Sequence, residues 1–129
     1  MISFLQENYP KVYEEANKHF ISDLEEIHKL TNNFCSYHQI EIKDIQHVRV
    51  GRYLKLRYKY IACVLYIFQP SKLVGEGRLN KELAMKFKEI FEIDSSQLKR
   101  LITQATNLYL YKEFKTDVMH FCNTYKLLK

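Results

Sequence analysis

Five side chains in a short run, Ser95, Ser96, Gln97, Lys99 and Arg100, are of the types that read and grip duplex nucleic acid. Hydroxyl and amide groups exchange hydrogen bonds with base edges, an arginine fork matches guanine, and lysine neutralises phosphate oxygens. Such chemistry needs the whole set to project from one rigid surface, and the neighbouring residues say how that could be arranged. Leu98, Leu101 and Ile102 recur at helical spacing and turn inward, which leaves the polar set outside. Asp94 stands just ahead, placed to accept from the first free amides, and Gln97 three residues on can reach back, so a capping-box start near Ser95 is expected. Upstream, Leu83, Ala84, Phe87, Ile90 and Phe91 trace a first amphipathic helix, and Ile93 falls in the turn. Residues 79–102 thus predict two short helices joined tightly, the second opening with a polar lip.

The order IFEIDSSQLKRLI resembles the helix-turn-helix of bacterial and phage DNA-binding regulators. In that motif an apolar turn residue is followed by two polar residues, a small apolar position, and an Arg near the middle of the recognition helix. Two departures stand out: Glu92 occupies the place where the motif usually carries Gly, and the first helix is about a turn longer. The likeness covers about a fifth of the chain. It implies that Ser95, Ser96, Gln97, Lys99 and Arg100 enter the major groove of double-stranded DNA. Arg78, Lys81 and Lys86, with Arg49, Arg52, Lys55, Arg57 and Lys59, would then hold the backbone. One recognition helix supplies few contacts, so a homodimer is expected. The function implied is that of a small transcriptional regulator; the alternative is an all-helical interaction module whose basic surface docks an acidic protein.

Charge is distributed in a way that suits either partner. The net charge of +5 conceals a split, because residues 1–45 hold four Lys against eight acids, while all remaining acids number seven against sixteen Lys and Arg. Between Asp44 and Glu76 there is no acid, yet Arg49, Arg52, Lys55, Arg57, Lys59 and Lys72 all fall there. A field of that sign attracts phosphates and releases their counterions.

Other chemistry is poorly supported. His19, His28, His38, His47 and His120 are scattered, without the helical His-Glu spacing or paired cysteines of a zinc site. Asp23, Glu25 and Glu26 fall on the charged face expected of an amphipathic helix. Gly75 to Gly77 lacks the further Gly, Lys and hydroxyl of a phosphate-binding loop. Cys35, Cys63 and Cys122 are odd in number and lie among apolar neighbours, which predicts reduced, buried thiols. Tyr53, Tyr58, Tyr60 and Tyr66 interleave with cations and could stack on unpaired bases, although half-buried core rings are the simpler reading. No enzyme activity and no cofactor is expected; a concave pocket lined by titratable groups would reopen that question.

The elements that must carry the polar lip follow from periodicity. With 129 residues, only three Gly and two Pro, and 47% hydrophobic residues, the chain predicts a single all-α bundle of about five helices. Pro10 opens an amphipathic helix marked by Tyr13, Ala16, Phe20, Leu24 and Ile27, expected to fade around Thr31 to Asn33. Residues 39–68 carry two signals: IEIKDI and VRVGRYLKLRYKYI alternate as in a short β-hairpin near 40–58, while Leu54, Tyr58, Ile61, Leu65 and Phe68 fit a helical stripe that we favour. Asn80 can cap the next helix with Leu79 as its staple, and a break near Tyr111 to Thr116 precedes a last helix that should pack on the first. No apolar run reaches membrane-spanning length and MISFLQENYP lacks a signal-peptide pattern, so a cytoplasmic protein without membrane contact is expected.

Overall fold

Seven helices and no strand make up the described residues, 26–47 and 51–128, of the computed structural model. The part of the expected first helix that precedes residue 26 lies outside them, as do Asp23, Glu25 and Arg49. The helix α1 occupies residues 26–38. It runs past Thr31 to Asn33 because these cap-forming side chains are satisfied inside it. The Thr31 hydroxyl donates to the Ile27 carbonyl at 2.7 Å, and the Asn33 amide donates to the Lys29 carbonyl at 2.9 Å. Ile27, Leu30 and Phe34 meanwhile keep burying one face. Gln39, at φ 56°, stops the helix in the left-handed conformation.

Where the alternating pattern allowed a hairpin near 40–58, the described residues instead form a single helical turn, α2 (Lys43–Gln46), and the start of α3 (Arg52–Phe68). Burial decides between the two periods. Tyr60, Ile61, Ala62, Cys63, Val64 and Leu65 are all buried in succession. That requires partners on every side, which a helix finds when surrounded by other helices. Seventeen helical residues span about 25 Å, the thickness of a small domain, whereas the same run extended would reach about 56 Å. Accordingly α3 is the axis of the fold, contacting α2, α4 (Pro70–Leu73), α6 (Ser95–Leu108) and α7 (Lys112–Leu128).

One continuous buried cluster joins all of them, running from Ile27 through Tyr60 and Phe87 to Tyr125. The last helix packs on the first through Phe121, whose ring lies 5.4 Å from Phe34 and 5.3 Å from Tyr37. The helix break, expected near Tyr111 to Thr116, falls earlier, at Tyr109 to Tyr111, and residues 112–116 already belong to α7. All three cysteines are free thiols; Cys63 and Cys122 are buried and Cys35 half-buried. Among the described residues no helix is long and apolar enough to cross a membrane.

Candidate nucleic-acid interface

Two adjacent helices, α5 (Lys81–Phe91) and α6, carry the polar lip. Each begins with a satisfied cap. Asn80 Oδ1 accepts from the amides of Glu82 and Leu83 at 3.0 and 3.2 Å. Asp94 Oδ1 accepts from the Gln97 amide at 2.8 Å while Gln97 Oε1 accepts from the Asp94 amide at 3.1 Å, a complete capping box. The loop into α5 is held by Gln69, whose Nε2 donates to the Arg78 carbonyl and whose Oε1 accepts from the Asn80 amide.

The turn between the helices resolves the departure at Glu92. This residue sits at φ 54°, ψ 52°, the left-handed conformation that Gly enters freely, and the Ile93 amide closes the turn on the Lys88 carbonyl at 3.1 Å. The backbone thus makes the bend with a non-glycine residue. Inward, Leu83, Phe87 and Phe91 of α5 and Leu98, Leu101, Ile102 and Ala105 of α6 enter the core. Outward, Ser95, Ser96, Gln97, Lys99 and Arg100 are all exposed. Lys99 and Arg100 make no ion pair or side-chain hydrogen bond with any described residue. Gln97 keeps only its Nε2 donors free, because the cap holds its oxygen.

The remaining cations separate by what they already touch. Arg78 and Lys81 are exposed, and Lys86 lies half-buried, 3.9 Å from Glu89. Arg52 rests over the Tyr53 ring and Lys55 is exposed at the start of α3. Arg57 is turned into the fold: Nε donates to the Ile45 carbonyl at 2.7 Å, a terminal nitrogen donates to the Gln46 carbonyl at 2.6 Å, and the guanidinium lies over Phe91. Lys59 pairs with Asp117 at 2.8 Å with its side chain largely covered. Each thus spends part of its donor set inside the protein, Arg57 on two backbone carbonyls and Lys59 on one carboxylate. Of the interleaved tyrosines, Tyr60 is buried with its hydroxyl 2.7 Å from Thr31 Oγ1, while Tyr58 and Tyr66 are half-buried and Tyr53 is exposed.

Two cations that periodicity did not single out take part instead. A groove of about 390 Å³ between α5 and α6 is rimmed by Lys72, Arg78, Lys88 and Lys99 and floored by Leu98 and Ile102, with no acid in its lining. Lys88 Nζ donates to Ser95 Oγ at 3.3 Å, so it stands over the first turn of α6. The signal was present in the spacing, since Lys88 precedes the turn by four residues, but nothing local assigns Lys72 to the same edge. No protein-family model, curated protein or solved structure matches the chain.

Proposed function

We propose that the protein binds double-stranded DNA through α5 and α6, with α6 as the reading helix, and acts as a small regulator. The observation that carries this reading is the capped, outward-facing start of α6, where Lys99 and Arg100 of its second turn have no described partner and a four-cation groove runs alongside. Ser96, Gln97 and Arg100 supply donors and acceptors for base edges; Ser95, Lys99, Lys72, Arg78, Lys88 and Lys81 supply phosphate contacts. Arg52, Lys55 and Lys86 extend the positive field without a direct role at the lip. Two copies would double the contact set.

Replacing Lys99 and Arg100 together by Ala tests it. Binding to a pool of duplex DNA should fall by about tenfold or more, since each phosphate or base contact contributes on the order of 1 kcal/mol or above, with far-UV circular dichroism unchanged. Unchanged retention of duplex would sink the reading. Binding equally well to an acidic polypeptide, lost in the same variant, would favour the interaction-module alternative.

A further inference from the structure

Away from α5 and α6, two clefts of about 240 Å³ each share His38 and Lys59 in their walls. They differ sharply in chemistry. The first is lined by rings: Phe34 and Phe121 at its base, with Tyr37, His38 and His120 around it. Tyr37 meets the His38 ring edge-on at 4.9 Å and Phe121 at 5.3 Å, yet remains 48% exposed, so a flat face of aromatic surface stands open to solvent within a concave site. The second is lined by Arg52, Lys55 and Lys59 with Leu56, and no acid enters it.

Lys59 connects the two. Its side chain is 14% exposed and its Nζ gives one proton to Asp117 at 2.8 Å, which leaves two donors without a described acceptor. Asp117 stands in the ring-lined cleft and can accept from an amine. Burial, and then the nearby Lys59 charge, hold the His38 imidazole below its ordinary titration range, so at neutral pH it offers one donor and one acceptor. Cys63 closes the floor, but burial pushes its thiol well up and keeps it uncharged, which suits a wall better than a nucleophile.

Each cleft is larger than a cavity that accepts a benzene ring and smaller than a site for a drug-sized ligand. A bare anion would leave the rings unused, and a neutral aromatic would leave the cations unused. We propose that the paired clefts bind a free nucleoside monophosphate, its base against Tyr37, His38 and Phe121 and its phosphate against Arg52, Lys55 and Lys59. Stacking on the exposed Tyr37 ring, with the edges of His38 and Phe121 as the cleft wall, and charge-assisted contacts to phosphate are the two interactions such a ligand needs. The site shares no residue with the exposed lip of α6, although Arg52 and Lys55 also belong to the positive field of the DNA-binding reading.

Calorimetric titration with AMP, GMP, CMP and UMP tests it, with the parent nucleosides and inorganic phosphate as half-ligand probes. At least one monophosphate should bind with a Kd below about 0.1 mM, and its nucleoside and inorganic phosphate at least about tenfold more weakly. Tyr37→Ala, Arg52→Ala and Lys55→Ala should each weaken binding about tenfold, and because all three side chains are exposed the fold should survive, as circular dichroism would verify. The Lys99 and Arg100 double variant should bind as the parent does, which keeps this outcome separate from that of the DNA test. The proposal is overturned if no monophosphate saturates by about 1 mM, if inorganic phosphate binds as tightly as the nucleotide, or if Tyr37→Ala has no effect. It is likewise overturned if single-stranded oligonucleotides alone bind in a Tyr37-dependent way, which would assign the clefts to a strand.

Discussion

At the scale of single residues, Glu92 is the clearest case of a side chain held against its own preference. The left-handed conformation costs an L-residue roughly 1–2 kcal/mol, and the nearby His47, 3.9 Å away with both side chains mostly in solvent, returns little of it. Glu92→Gly should raise stability by up to about 1 kcal/mol once the extra freedom of the unfolded chain is counted, whereas Glu92→Val should lower it by about 1 kcal/mol; thermal unfolding reads both. His38 gives a second prediction. Its folded-state affinity for protons is lowered by burial and by Lys59 and Arg52 of α3, with Asp117 of α7 opposing. The unfolded chain therefore takes up a proton near pH 6.5 before the folded one does, so stability is complete above that pH and falls as pH drops through it. Melting temperature should decline between about pH 7.5 and 5.5, and His38→Gln should flatten that decline. Arg57 and Lys59 mark where residue types mislead. Counting charge along the chain groups them with free cations, but their acceptors lie in α2 and α7, 11 and 58 positions away, and such distances carry no local signal.

Among the elements, the outline of α5 and α6 was legible because every device that builds them is local: Asn80 and Asp94 as caps, apolar residues at three- and four-residue steps, and a short turn. Removing one device should show its worth. Asp94→Ala removes the arm in which its carboxylate accepts from the Gln97 amide, leaves the backbone arm to Gln97 Oε1, and should cost about 1 kcal/mol, lowering the melting temperature by several degrees. The segment before them was harder to read, because VRVGRYLKLRYKYI satisfies a period of two as well as a helical one. What selects the helix is the encirclement of residues 60–65 by other elements, a property of the assembled core. The same holds for α1, where Thr31 is a helix stop by type but finds the Ile27 carbonyl and the Tyr60 hydroxyl once α3 lies alongside.

For the molecule as a whole, the all-α class followed from composition, whereas the division of its positive charge did not. Arg52 and Lys55 gather at the first turn of α3, and Lys72 and Arg78 lie beyond its last, about 25 Å away along the axis. Only the second group borders the exposed lip of α6. If that edge tracks a phosphate backbone, Lys72→Ala and Lys88→Ala should each weaken DNA binding uniformly across sequences and reduce the slope of log affinity against log salt by about one. Arg100→Ala should instead relax the choice among sequences, a contrast that binding selections at two salt concentrations would resolve.

The two buried thiols carry a separate consequence. Cys63 on α3 and Cys122 on α7 face each other, with the Cys122 sulfur 3.8 Å from the Cys63 carbonyl, and both are closed to reagents while the helices stay together. Cys35, only half-covered, is open to attack in the native state. Burial, and then the nearby Asp44 charge, push the Cys35 thiol up and slow its reaction, so a maleimide should mark that position first but not instantly and the other two only when the central seam parts, which equips the chain with its own clock for spontaneous opening.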